Sequence, residues 1–420
     1  MKKLICTLFL LSCCIAFLTA QDKLPGITCI IEGVVVDRPE SSSLLLLGDG
    51  EDPRINGTSI PIEEGKFRYV LLVDHHEMYS LNFSDELQQG SWRPVPFFAE
   101  NDTVRFTLFP QDRYDENTVD GGILNREYAG ILRQRENAAD ITRLEQERQL
   151  LDESNRLYSP EVYGLIQILR TTSDEEERQR ASETFAKLRE ANQHYSPEGA
   201  DCHRRMAEAL QQRREWEVEY AGGHISIPSY YLLIGKARQK DMFFPLDHTS
   251  AYDLYNRVYA EAYPDHPYTE EFQKIILSQS QIRPGGKYID FTAPDFEGNR
   301  ISLSSRIEGK VALIDLWASW CGPCRRMSKS LIPVYEKYKD RGFVIVGVAR
   351  EKNAESGILA AQRDGYPWLN LLEIQDAASI WHLYGVGNGG GATFLVDRDG
   401  TILAVHPQVE EVEKILEEKL

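Results

Sequence analysis

The stretch Val311-Ala312-Leu313-Ile314-Asp315-Leu316-Trp317-Ala318-Ser319-Trp320-Cys321-Gly322-Pro323-Cys324 opens with a short apolar run broken once by an aspartate and closes with two cysteines two residues apart. The apolar part, Val311 to Trp317, has the length and residue types of a buried strand. From Gly322 to about Arg341 the pattern becomes helical, so the cysteines fall where a strand gives way to a helix. Outward from this junction, Phe343 to Val348 reads as a second buried strand and Ala354 to Asp364 as a helix. Ala392 to Val396 and Thr401 to Val405 flank Asp397-Arg398-Asp399-Gly400 as a hairpin turn, and Val409 to Leu420 closes as a helix. Parallel strands joined by helices and finished by an antiparallel hairpin make an α/β module.

A cysteine at a helix N-terminus faces unpaired backbone N–H groups and the positive end of the helix dipole, which favour thiolate over thiol. Cys321 is therefore the expected nucleophile. The spacing brings Cys324 within reach of a mixed disulfide formed on Cys321, so that Cys324 resolves it. The alternative for an isolated Cys-x-x-Cys is half of a zinc site, which requires a second pair at metal spacing. Cys202-His203 does not supply one, and no metal or organic cofactor is expected beyond the redox-active Cys321–Cys324 disulfide.

The segment Val311 to Cys324 resembles the active-site strand and helix of thioredoxin. The stretch from Gly286 to Leu420 is similar to the TlpA/ResA-type exported thiol-disulfide oxidoreductases, which are AhpC/TSA-related: Ala293-Pro294-Asp295-Phe296, Gly309-Lys310 and Phe394-Leu395-Val396-Asp397 stand in the family's order. The resemblance implies a thioredoxin-like fold for the C-terminal third. It also implies that Asp315, six residues before Cys321, is the buried carboxylate that helps to move the proton of the resolving cysteine. A carboxyl in a dry strand has its charged form disfavoured, so its pKa rises toward working pH; the competing reading is a solvated residue near a strand edge. Trp317 and Trp320 are expected to pack and shield, and Gly322, Pro323, Ala392 and Thr393 to shape the site.

Two departures from the family pattern stand out. Where the family has a cis-proline facing the cysteines, this chain has Asn388-Gly389-Gly390-Gly391, with Gly391 at the matching position. A cis bond before a non-proline residue costs ~2.5 to 4 kcal/mol, so the usual loop shape is not expected. In the family that proline shapes the substrate edge and hinders metal capture by the sulfurs. The second departure is Lys329 in place of a kink proline, which predicts a straighter helix.

Upstream, Ile27 to Phe109 is divided into short strands by turn formers such as Asn56-Gly57 and Glu64-Gly65, and Val104, Phe106 and Leu108 alternate with polar residues. This predicts an all-β sandwich or barrel, and residues 27 to 130 also resemble, more weakly, a β domain of unknown role found before such modules in cell-envelope proteins. Ile123 to Tyr220 is rich in Glu, Arg, Gln, Ala and Leu and reads as helical, with Ser173 to Glu176 in capping-box form. Further helices are expected from Pro228 to about Gln281, where Tyr230, Tyr231, Tyr252, Tyr255 and Tyr259 read as packing residues. Arg283-Pro284-Gly285-Gly286 is a boundary. The domains are thus a signal peptide at 1–20, a β domain at 21–121, a helical linker domain at 122–282 and the thioredoxin-like domain at 283–420.

The first twenty residues carry Lys2 and Lys3, an apolar run to Leu18, and Thr19-Ala20 before polar residues, the form of a secretory signal. Leu10-Leu11-Ser12-Cys13 loosely resembles a lipoprotein processing site, so anchoring through Cys13 is an alternative. The expected location is the periplasm or cell envelope. Of seven cysteines, Cys29, Cys202, Cys321 and Cys324 lie beyond the signal, too few for a disulfide scaffold in 420 residues. Cys29 and Cys202 could pair or stay free. His75-His76 reads as an exposed turn. A net charge of −18 disfavours nucleic acid as a partner. The expected function is reduction or isomerisation of disulfides in exported proteins. No Gly-x-Gly-x-x-Gly or phosphate loop is present, so electrons would come from a membrane donor. A thiol peroxidase fits poorly, because Ala318 and Ile314 stand where its Thr and Pro are required. A binding or scaffold protein with a weakened redox module is the reading from another class.

Overall fold

The computed structural model describes residues 26–238 and 248–420. The expected signal, with Cys13, lies outside them. Two compact units result: residues up to Leu46 with Ser59–Gly122, and Leu47–Thr58 with Ile123–Leu420.

The first unit is built from β1 (Ile27–Val35), β2 (Ser43–Gly48), β3 (Thr58–Pro61), β4 (Lys66–Val73), β5 (Met78–Phe83), β6 (Val95–Phe98), β7 (Thr103–Leu108) and β8 (Thr118–Asp120). They form two four-stranded sheets, β4-β1-β7-β8 and β3-β2-β5-β6, with β1 antiparallel to β4 and parallel to β7. Alternation along β7 buries Val104, Phe106 and Leu108, and these join Ile31, Leu44 and Phe97 in one core. β3 and β8, with four and three residues, are too short to show a period in sequence.

In the second unit a run of helices comes first: α1 (Ile123–Ala138), α2 (Ile141–Glu153), α3 (Pro160–Thr171), α4 (Glu175–Glu190), α5 (Pro197–Gly223), α6 (Ile227–Arg238) and α7 (Pro267–Gln281). Helix α4 is capped by Asp174, whose side chain accepts from the N–H groups of Glu176 and Glu177. The cap thus falls one residue beyond the expected Ser173, and without the reciprocal bond of a capping box: the Asp174 N–H donates to the Thr172 hydroxyl, which itself donates to Glu177. Ser196 caps α5 with Pro197 in the first turn. Tyr230, Tyr255 and Tyr259 are buried, Tyr255 stacked on Phe272 at 4.3 Å.

After the short pair β9 (Thr292–Pro294) and β10 (Arg300–Ser302), the chain enters a five-stranded sheet. Its strands are β11 (Val311–Trp317), β12 (Phe343–Glu351), β13 (Leu369–Ile374), β14 (Ala392–Val396) and β15 (Ile402–Val405), in the order β13-β12-β11-β14-β15. Strand β11 is parallel to β12 and antiparallel to β14, and all seven of its residues are buried. Helices α8 (Gly322–Tyr338) and α10 (Val409–Lys419) cover the face of Val311 and Leu313 through Leu331, Val334 and Leu416, while α9 (Ala354–Asp364) packs near Trp317 through Ala360 and Ala361. This is the thioredoxin-like arrangement expected of the C-terminal region. Helix α8 does contain a proline, Pro333, one turn beyond Lys329. Lacking an N–H, Pro333 leaves the carbonyl of Lys329 without its helical partner, so the interruption lies one turn later than the family's.

Glycine is required at 347, opposite Asp315 in β12. A Cβ there would stand 2.1 Å from Asn370 Oδ1 and 3.0 Å from Trp317 Nε1, the two atoms joined by a 3.0 Å hydrogen bond. Gly347→Ala is expected to lower stability by about 1–3 kcal/mol, read as a fall in the urea midpoint with an unchanged slope.

Candidate functional site

Strand β11 ends at Trp317, and after three intervening residues the chain turns into α8 at Cys321. Cys321 is the N-cap of that helix, and its Sγ accepts from the N–H of Cys324 at 3.3 Å. Pro323 occupies the first turn, where its missing N–H costs nothing. Cys321 and Cys324 are joined by a disulfide with a Cα–Cα distance of 5.3 Å. The helix N-terminus thus faces Cys321 Sγ, and would stabilise negative charge on it once the bond is reduced. Cys321 is only 6% exposed, whereas Cys324 is partly buried.

Asp315 lies inside the central strand, not at an edge, and its only described side-chain partner is a serine that sequence reasoning did not single out. Ser328, one turn beyond Cys324, donates to Asp315 Oδ2 at 2.7 Å and also lies 3.0 Å from the Cys324 carbonyl oxygen. Burial pushes the Asp315 carboxyl up to about 7, against the smaller downward pull of the Ser328 hydroxyl. The group can therefore take and return a proton at neutral pH.

Glu351, at the buried end of β12, accepts from the backbone N–H of Ser319 and, at 2.8 Å, from its hydroxyl. Burial raises its pKa. These bonds hold the turn that delivers Cys321. Arg325 grips Asp364 through two bonds of 2.6 and 2.7 Å and reaches the Ser319 carbonyl at 3.3 Å, fixing the same turn from the helix side. Trp317 is fully buried, and Trp320 lies 6.0 Å from Trp381 between ring centroids.

The glycine segment faces the sulfurs directly. A Cβ at Gly390 would be 3.9 Å from Cys321 Sγ, and the N–H of Gly391 donates to Cys324 Sγ at 3.1 Å. No peptide bond among the described residues is cis. Ala392 and Thr393 continue into β14, where Thr393 pairs with Asp315. Asn388 anchors the segment: its Oδ1 accepts from Arg350 at 2.9 Å. Arg350 is fully buried and paired in two bonds with Asp376, with Asp52 at 3.6 Å. A cavity of about 410 Å³ runs beside the glycines, walled among others by Ile282, Tyr384, Val386, Phe394 and His406.

Residues Leu47–Thr58, part of the same compact unit, complete the surround. Arg54 lies over the Trp320 ring, 3.6 Å from its centroid, and donates to the Asn388 carbonyl. Asp52 holds the guanidinium in place at 2.7 and 2.8 Å, and the Asn388 amide donates to the Gly50 carbonyl at 3.1 Å. Sequence reasoning singled out neither Arg54 nor Arg350 as a site residue. For Arg350 a signal existed, because an Arg-Glu pair ends an otherwise apolar buried strand.

The family model described as AhpC/TSA matches residues 284–405, the stretch that contains both cysteines, Asp315 and the glycine segment. The C-terminal region is an AhpC/TSA domain. Over this domain the chain is 28% identical, across 137 residues, to thiol-disulfide oxidoreductase ResA of Halalkalibacterium halodurans, covering 32% of this chain and 74% of that protein. ResA of Bacillus anthracis is 26% identical over 134 residues, covering 31% and 74%. Among solved structures, the thioredoxin domain of a thiol-disulfide oxidoreductase from Bacteroides vulgatus is 28% identical, covers 32% of this chain and 96% of its own, and superposes with a TM-score of 0.30. A thiol:disulfide interchange protein from Bacteroides sp. is 28% identical, covering 32% and 89%, also at 0.30.

Outside the AhpC/TSA domain, Cys29 and Cys202 are both free and buried. His75 and His76 are half-buried, with His76 Nδ1 3.0 Å from the Ala99 carbonyl oxygen. Among the described residues no three His, Cys, Asp or Glu side chains are grouped to hold a metal ion, and no helix is long and apolar enough to cross a membrane.

Two outcomes follow from this geometry. The folded chain binds the Asp315 proton more tightly than the unfolded chain, whose carboxyl titrates near 3.8. Stability therefore falls as pH rises from about 4 to 7, and the cost is fully present above 7. Asp315→Asn should stabilise the oxidised protein at pH 8 by at most roughly 4 kcal/mol, with the gain vanishing toward pH 4 in urea titrations. Arg54→Ala should uncover Trp320, so that the reduced protein is alkylated at Cys321 about two- to fivefold faster. An unchanged rate would mean that Arg54 does not guard the sulfur.

Proposed function

We propose that this chain is an exported thiol-disulfide oxidoreductase that reduces or isomerises disulfides in other exported proteins, with Cys321 as nucleophile and Cys324 as resolving thiol. The observation that carries the reading is the paired sulfurs at the N-terminus of α8, with a carboxyl of pKa about 7 one serine away. The oxidoreductase names of the relatives matched over the same region support it.

In this reading the Cys321 thiolate attacks a substrate disulfide, one substrate sulfur leaves, and Cys324 then displaces Cys321 from the mixed disulfide. Asp315 accepts or returns a proton as Cys324 changes state. The dithiol is the only redox group required, and a membrane protein returns it to the reduced form. Residues 1–20 direct export to the periplasm or envelope, 21–121 form a β sandwich, 122–282 a helical linker domain and 283–420 the redox module.

Insulin reduction should be present in the full chain and abolished in Cys321→Ser, while Cys324→Ser should accumulate a mixed disulfide visible on non-reducing gels. Titration of the pair in redox buffers gives the direction: a potential near the low end of about −270 to −120 mV marks a reductase and one near the high end an oxidant. Absence of activity in both wild type and Cys321→Ser would leave a binding protein instead.

A further inference from the structure

Glycine at 391 offers what proline cannot, a backbone N–H. That nitrogen lies 3.1 Å from Cys324 Sγ. The approach depends on the missing side chain, because a Cβ would stand 1.8 Å from the Leu316 carbonyl oxygen and 3.1 Å from the same sulfur. The segment is therefore drawn against both β11 and the resolving cysteine, and Asn388, bound to Arg350, holds it there.

The other groups near Cys324 act less directly. Asp315 of β11 is linked through Ser328, which meets the Cys324 carbonyl and not its sulfur. Tyr366, which packs in the same cluster, turns its hydroxyl to Asp364 at 3.2 Å, and Arg325 is taken up by Asp364. A donor aimed at a sulfur favours the charged form, and a bond to an ionised acceptor is roughly twice as strong as a neutral one.

We propose that the Gly391 N–H is a catalytic hydrogen-bond donor that stabilises Cys324 as thiolate for the resolving step. The proposal rests on the dithiol function above. In that step the Cys324 thiolate, its proton already given up to Asp315, attacks Cys321 Sγ of the mixed disulfide. The Cys321–Cys324 bond forms and the Cys321–substrate bond breaks, leaving its electron pair on the substrate sulfur, which takes a proton from solvent. The two cysteines are oxidised and the substrate disulfide is reduced by the same two electrons.

The test uses full-length Cys321→Ser, in which Cys324 is the sole sulfur of the pair, with and without Gly391→Pro. Cys324 alkylation by iodoacetamide is followed against pH by peptide mass spectrometry, and the Gly391 amide by NMR after glycine labelling. The Cys324 midpoint should lie at least about one unit below the ~8.5 of a free thiol, and the Gly391 amide proton should shift with that same midpoint. Gly391→Pro should raise the midpoint by about one unit, a tenfold loss of thiolate at pH 7. An amide that ignores the Cys324 titration, or a midpoint unchanged by proline, overturns the proposal. If the proline variant does not fold, the amide titration alone decides. Insulin reduction is scored separately, so a chain that lacks reductase activity but shows the coupled titration loses the function and keeps the donor.

Discussion

A strand buried at every position sets the terms for the rest of the AhpC/TSA domain. Val311 to Trp317 lies in the middle of five strands, with apolar cover on both faces, so a slip of one residue would swap the side chains packed on the two faces and break the fit of both layers. The turn that follows inherits this fixity. Ser319 is bound to Glu351 and Arg325 to Asp364, and Cys321 starts the helix where backbone N–H groups are unpaired. The chemistry of the sulfurs is thus a property of a rigid strand end as much as of the cysteines themselves.

The same strand holds a carboxyl whose pKa burial lifts to about 7. In water Asp315 would be charged; between β12 and β14 it has a single serine hydroxyl to satisfy it, and desolvation prevails. The protein tolerates a destabilising carboxyl at its centre, the pattern found where a proton must be moved. Gly347 across the sheet leaves the room that Trp317 and Asn370 need to close over this layer.

What could be read from the sequence follows from how local the cause was. The strand-to-helix junction, the hairpin around Asp397 to Gly400 and the helices at 354–364 and 409–419 declare themselves through short-range patterns. Cys321 and Cys324 stand out by their spacing at a strand-to-helix junction, whereas Asp315 is singled out only through the resemblance of its strand to that of thioredoxin. Ser328, Glu351, Arg350 and Arg54 were not legible. Each acts through a partner at least thirteen residues away, Ser328 on Asp315 being the nearest, and Arg54 meets Asn388 across more than three hundred residues. At Gly391 the loss of proline was plain in sequence; the hydrogen bond gained in exchange needed coordinates.

Cys29 and Cys202 do not share the helix-end setting of Cys321. Burial holds both thiols in the protonated form, with pKa values raised above the ordinary range. Among the described residues, then, the electron inventory is a single pair. Two spectator sulfurs are kept out of circulation, so an oxidised molecule has no internal thiol at hand to scramble its own disulfide, and each visit to a substrate is a complete two-electron event.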